Sequence, residues 1–146
     1  HLVHVLRVGP GVDPRNPGAP APLPIYGSGC YRGLGREGMI EKAQRVVSQG
    51  FKAIKMQVAH LFTNDEEVRN VHDMRAALGD EIEIMVDVNQ GWEAKEAIAV
   101  GRRIDECNLS WLEEPVMADD FKGYHTIRGR NIYSKHILNS TGVDPD

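Results

Sequence analysis

The sequence predicts an α/β chain of about four consecutive βα units, half of an eight-fold (β/α) barrel, and three observations carry that prediction. Short apolar runs alternate with segments whose apolar residues recur at helical spacing. The runs begin roughly 25 to 30 residues apart, which fits successive βα units in a parallel sheet. Three of the runs carry a charged residue at the end: Lys55, Asp87 and Glu113.

Taken in order, six of the eight prolines fall in the first 24 residues. Proline lacks the amide donor and glycine loosens the backbone, so residues 1–22 read as an arm or linker. Residues 1–8 fit either a short strand or a helix remnant. Order is expected from Leu23, with residues 24–29 forming a short strand that closes in a glycine turn. Met39, Ile40, Ala43, Val46 and Val47 mark a first helix, stopped by Gly50. Residues 53–58 read as the second strand. Asn64 and Glu67 resemble a capping pair ahead of a helix striped by Val68, Val71, Met74 and Leu78 and ended by Gly79. Residues 82–89 read as the third strand, and Ala94, Ala97, Ile98, Gly101 and Ile104 line one face of the next helix. Residues 109–113 read as the fourth strand, followed by a weak helix over 120–128 and one ambiguous strand within 130–140. The expected organisation is an arm over 1–22, a half-barrel domain over 23–130 and a divergent C-terminal tail over 131–146.

A chain of 146 residues, 41% apolar and 26% charged, has the length and composition of one ordinary soluble domain. A formal charge of −4 provides no basic stripe, so no nucleic-acid partner is expected. No apolar stretch approaches the roughly 20 residues that span a bilayer, so no membrane association is expected. Cys30 and Cys107 lack CxxC spacing and read as two reduced thiols of a cytoplasmic protein. His1 is not an initiator methionine, so the sequence reads as starting inside a longer chain.

An isolated ionised carboxylate is very costly to bury among apolar residues, so two at successive strand ends point to a divalent metal site. Strand alternation puts Lys55 and Gln57 on one face, and Met85, Asp87 and Asn89 on one face of the next strand. Trp111 and Glu113 then face together, which favours Glu113 over Glu114 as the inward acid. Carboxylate oxygens suit a hard cation such as Mg²⁺. Such a cation would stabilise an enolate formed when a base removes a proton next to a carboxylate. His60, His72, His125 and His136 show no ligand spacing and read as surface or core residues. Gly27, Gly29, Gly33 and Gly35 complete neither a GxGxxG nor a GK[ST] pattern.

Three ordered motifs carry a resemblance: residues 50–57 (GFKAIKMQ), residues 84–90 (IMVDVNQ) and residues 111–115 (WLEEP). Together they resemble the mandelate racemase/muconate lactonizing group of the enolase superfamily, over about Leu23 to Arg130. The resemblance implies an α+β capping domain on a modified (β/α)7β barrel, with Mg²⁺ held by carboxylates on three successive strands. It assigns Asp87 and Glu113 as the first two metal ligands and Lys55 as the first, catalytic lysine of a Lys-x-Lys pair. Asn89 and Gln57 fall on the substrate side.

The sequence also departs from that pattern. Gln57 stands where the second lysine is expected and cannot abstract a proton at neutral pH. The third metal ligand is expected near Asn139, and no acid lies between Asp120 and Asp144. The His-Asp base of the opposite face would lie beyond Asp146, and the capping domain is missing or reduced to residues 1–22. The expected Mg²⁺ site is therefore weak or incomplete. One expectation is a partial enzyme for Mg-assisted α-proton abstraction from a hydroxy or sugar acid, with dehydration favoured over two-base racemisation and no activity from this chain alone. The alternative is an inactive half-barrel remnant that self-associates through its open sheet edge. A small carboxylate is the expected substrate, and a homo-oligomer the expected assembly.

Overall fold

Strands that are apolar on both faces need cover on both, and helical crossovers supply it in parallel sheets. The computed structural model describes residues 3–5, 25–130 and 137–138. Its strands are β1 (Val3–Val5), β2 (Ile25–Cys30), β3 (Ala53–Gln57), β4 (Glu83–Asp87), β5 (Trp111–Glu113) and β6 (Ile137–Leu138). They form one sheet in sequence order, with β1 antiparallel to β2 and every later pair parallel. Helices α1 (Gly35–Ser48), α2 (Asn64–Leu78), α3 (Ala94–Ile104) and α4 (Phe121–Arg128) follow β2, β3, β4 and β5. A parallel sheet whose strands neighbour one another in chain order is singly wound, the arrangement of a (β/α) barrel wall rather than of a doubly wound sheet. The fold is a partial barrel.

The strand alternation sorts the core into two layers. Ile54, Met56, Ile84, Val86, Val88 and Leu112 point outward and pack with Met39, Ala43, Val71, Met74, Ala97, Val100, Ile104 and Ile127 of the helices. Tyr26, Ala53 and Met85 point the other way and gather with Trp111 into a small inner cluster. The sheet approaches α1 closely at Gly27, where a Cβ would run into Val46 Cγ1.

Three sequence expectations shift. The capping pair of α2 is Thr63 with Glu66, one residue earlier than Asn64 with Glu67. Thr63 is extended, its backbone N–H donates to Glu66 Oε2 at 2.8 Å, and its hydroxyl accepts from the Glu66 N–H. Glu67 instead lies on the buried stripe with Val68, Val71 and Met74 and is 0% exposed. The third predicted strand ends at Asp87, so Asn89 lies beyond it, and the fourth shortens to Trp111–Glu113. The ambiguous segments gain an answer only where they are described: Val3–Val5 and Ile137–Leu138 are strands. The rest of the predicted arm and tail lies outside the described residues, as does His136. No helix among the described residues is long and apolar enough to cross a membrane.

Arg75 on α2 ties together the turns that lead into β4 and β5. Its guanidinium donates to the carbonyls of Cys107 (2.9 Å), Gly79 (2.7 Å), Ile82 (2.7 Å) and Asn108 (3.3 Å). Methionine at this position would keep the stem and strand these carbonyls. Arg75→Met is expected to lower unfolding free energy by about 2 kcal/mol, from the net worth of charge-assisted bonds at a half-exposed site. Urea denaturation checks this, and an unchanged midpoint would show that water replaces the clamp without loss.

Candidate active site at the carboxyl ends of three strands

Register builds the site in layers. Lys55, Met85 and Trp111 are neighbours across β3, β4 and β5, and Gln57, Asp87 and Glu113 are neighbours one layer nearer the carboxyl edge. Met85 and Trp111 form an apolar floor, with Trp111 edge-on to Tyr26 at 5.7 Å and 85°. Lys55 starts at floor level, and its long side chain brings Nζ up to the acids: 3.1 Å from Asp87 Oδ2 and 2.9 Å from Glu113 Oε2. The side chains of Lys55 and Asp87 are only 12% and 7% exposed. Trp111 Nε1 also donates to Glu113 Oε2, at 3.2 Å. Burial works against the Lys55 charge, but the hydrogen bond to Glu113 and the negative charges of Asp87 and Glu113 outweigh it and hold the ammonium above its ordinary range. Burial pushes the Tyr26 phenol up, with Lys55 acting in the opposite direction.

Glu114 lies past the end of β5 in the left-handed region, and its Oε2 accepts from Gln90 Nε2 at 3.4 Å. Gln57 lines a cleft at the strand ends together with Lys55, Asp87, Ser28, Cys30 and Tyr31. Burial pushes the Cys30 thiol up to about 11, so it is an inert wall of that cleft. Cys107 is buried and free as well.

Asn89 reaches Asp87 by a different route from the predicted one. It lies past the end of β4 in the left-handed region, at φ 50°, so strand alternation does not aim it. Its backbone N–H (3.0 Å) and Nδ2 (2.7 Å) both donate to Asp87 Oδ1. Positive φ values recur at the ends of neighbouring strands, at Ala59 and His60 after β3, Asn89 and Gln90 after β4, and Glu114 after β5. Strain of this kind gathers where function constrains the backbone.

Three polar residues that sequence reasoning missed hold these loops. Arg32, in the 3-10 turn after β2, donates from Nη2 to Asn89 Oδ1 at 2.6 Å. His60 Nε2 donates to the Asn89 carbonyl at 3.0 Å. Glu67 accepts from Asn70 Nδ2 at 3.3 Å; burial pushes its carboxyl up, while Asn70, the Ala59 N–H and the Arg32 charge pull it down. For Glu67 a signal existed, since it falls on the apolar stripe of α2. For Arg32 and His60 there was none, because irregular loops bring them to the site.

The donor set suits a hard cation in kind. Two carboxylate oxygens from adjacent strands converge on one point that Lys55 Nζ satisfies electrostatically. Among the described residues no group of three His, Cys, Asp or Glu side chains could hold a metal ion. A Mg²⁺ ion here would rely on Asp87 and Glu113 and keep several waters. Exposed apolar side chains occur in the segments that follow the strands: Tyr31, which lines the cleft, and Leu34 after β2, Leu61 after β3, Met117 and Phe121 after β5.

Comparison with known proteins converges on one family. Residues 38–139 match the model described as enolase C-terminal domain-like. An N-succinyl-L-Arg/Lys racemase of Bacillus cereus is 35% identical over 96 residues, covering 64% of this chain and 25% of that protein. The crystal structure of a racemase from Streptomyces coelicolor A3(2) with bound magnesium superposes with a TM-score of 0.73 at 32% identity, over 82% of this chain and 33% of the other. That of L-talarate dehydratase from Polaromonas sp. JS666, complexed with Mg and L-glucarate, gives 0.70 at 25% identity, over 78% and 31%. The chain thus spans a third or less of the length of these proteins. Motifs, strand register and comparisons agree that it belongs to the enolase C-terminal domain-like family, in the mandelate racemase/muconate lactonizing group.

Proposed function

We propose that this chain supplies the first half of an active site for Mg-assisted removal of the α-proton from a hydroxy or sugar acid. The observation that carries this reading is the Lys55 ammonium set between Asp87 and Glu113 at the carboxyl ends of three adjacent strands. Active sites of (β/α) barrels gather at that edge. Asp87 and Glu113 are the residues that would hold Mg²⁺. The chemistry that ion supplies when bound is neutralisation of a substrate carboxylate and of the charge that develops as the neighbouring proton leaves.

The chain's own residues bind and orient. Lys55 offers an ammonium to the substrate carboxylate. Gln57 can hydrogen-bond to a hydroxyl and cannot take its proton. Asn89 fixes Asp87. With no base among these groups, the proton must leave toward a face that this half-site does not furnish. One-base dehydration of an acid sugar fits that arrangement better than two-base racemisation. Titration calorimetry tests the reading: wild type is expected to bind Mg²⁺ weakly, and Asp87→Asn to abolish the signal. An unchanged signal in that variant would place the ion elsewhere.

The sheet among the described residues ends at β1 on one side and β6 on the other. Unpaired strand edges invite pairing with another copy. We therefore expect a homodimer or larger assembly. Light scattering giving a monodisperse 16.2 kDa particle at high concentration would contradict this.

A further inference from the structure

Asp87 uses its two oxygens for different tasks: Oδ2 faces Lys55, and Oδ1 takes two bonds from Asn89. That division depends on which way the Asn89 amide points. Flipped, the amide would set its carbonyl oxygen against the Asp87 carboxylate. Arg32 settles the matter, because a guanidinium has donors and no acceptor. It can approach only the oxygen end of the amide, at 2.6 Å, and so leaves the NH₂ end to Asp87. We propose that Arg32 is a positioning residue for the carboxylate of Asp87: it locks the Asn89 amide so that Oδ2 alone is presented to Lys55 and Glu113.

The surroundings fit this role. Arg32 is anchored in the turn after β2, two strands away from Asp87, and thus ties the end of β2 to the end of β4. Its Nε is buried without a partner among the described residues, as is Glu67 Oε1, and the opposite charges of the two side chains act on one another. Asp87 first, and then Glu67, keep a positive charge favourable in a position that burial disfavours. Arg32 makes no hydrogen bond to Lys55 or Glu113; its charge acts on Asp87 directly, and its hydrogen bond reaches that carboxylate through Asn89.

The inference deepens the proposed function but can be tested without it. In the metal-free 146-residue chain, the Asn89 side-chain NH₂ protons should give a dispersed, slowly exchanging pair in ¹H–¹⁵N spectra. Arg32→Met keeps the stem and removes the donor. It should collapse that pair toward free-amide shifts and exchange rates, while Arg32→Lys keeps a donor and should restore part of the protection. Mg²⁺ affinity should fall by about tenfold in Arg32→Met and by less in Arg32→Lys, the usual range for loss of a residue behind a ligand. An Asn89 pair that is unchanged in a folded Arg32→Met protein overturns the proposal. So does a wild-type pair that already exchanges at the free rate, a result that needs no variant to fold. If wild type binds no Mg²⁺ at all, the functional reading fails while the amide signature still decides the role of Arg32.

Discussion

Lys55→Met is expected to lower the unfolding free energy by about 3 kcal/mol, the low end for removing one partner of a buried ion pair. The ammonium is the shared counter-charge of Asp87 and Glu113, at 3.1 and 2.9 Å, and no other side chain among the described residues forms a direct ion pair with either, the Arg32 charge acting on Asp87 without one. Methionine fills the same stem volume over Tyr26 and the Met85–Trp111 floor, so little of the loss comes from packing. What remains is two carboxylates facing each other at low exposure. Glu113 is 25% exposed and can move toward water, and so the lower figure applies. The same variant should gain more stability from added Mg²⁺ than wild type does, since the competing cation is gone and a ligand that binds only the folded state adds its binding energy to stability. Urea denaturation with and without Mg²⁺ reads both effects. A variant as stable as wild type would mean that the acids do not converge on Lys55 in solution.

Much of this arrangement was legible because strand alternation is a rigid rule. Once residues 53–57, 83–87 and 111–113 are strands, Lys55, Asp87 and Glu113 must face one way and Ile54, Val86 and Leu112 the other. The acids could be picked out for the same reason, as charges closing apolar runs. The rule fails one residue past a strand end. Asn89 was grouped with Asp87 by phase, yet a left-handed backbone at φ 50° carries it back to the same carboxylate. His60 and Arg32 meet Asn89 only because loops after three different strands fold together, a contact with no local pattern behind it. The slipped cap of α2 has a simpler origin. Thr63-Glu66 and Asn64-Glu67 both satisfy the capping spacing, and burial of Glu67 decides between them. Arg75 shows the limit of composition, since a surface-type residue on a helix proves to clamp four carbonyls.

No measurable exchange or turnover of mandelate, muconate or common sugar acids is expected from the 146-residue chain alone, with or without Mg²⁺. Abstraction of a proton next to a carboxylate needs a base with an available lone pair near the operating pH. Lys55 is paired with the two acids that flank it in the metal-free chain, and Gln57 at the level of Asp87 carries an amide instead of an amine. Asp87 and Glu113 are committed to the Lys55 cation and, in the proposed reading, to the metal ion. His60 binds the Asn89 carbonyl through Nε2, and no hydrogen bond among the described residues joins its ring to Lys55, Asp87 or Glu113. The most sensitive check is loss of the α-proton signal by NMR in D₂O, because exchange requires only the first step and no product release. Each tenfold in rate corresponds to about 1.4 kcal/mol of barrier, and loss of a general base alone removes about 10²- to 10⁴-fold. Exchange that depends on Mg²⁺ and disappears in Asp87→Asn would show that the chain is active by itself. It would also identify the cleft beside Ser28, Tyr31 and Gln57 as the place to search for the missing base.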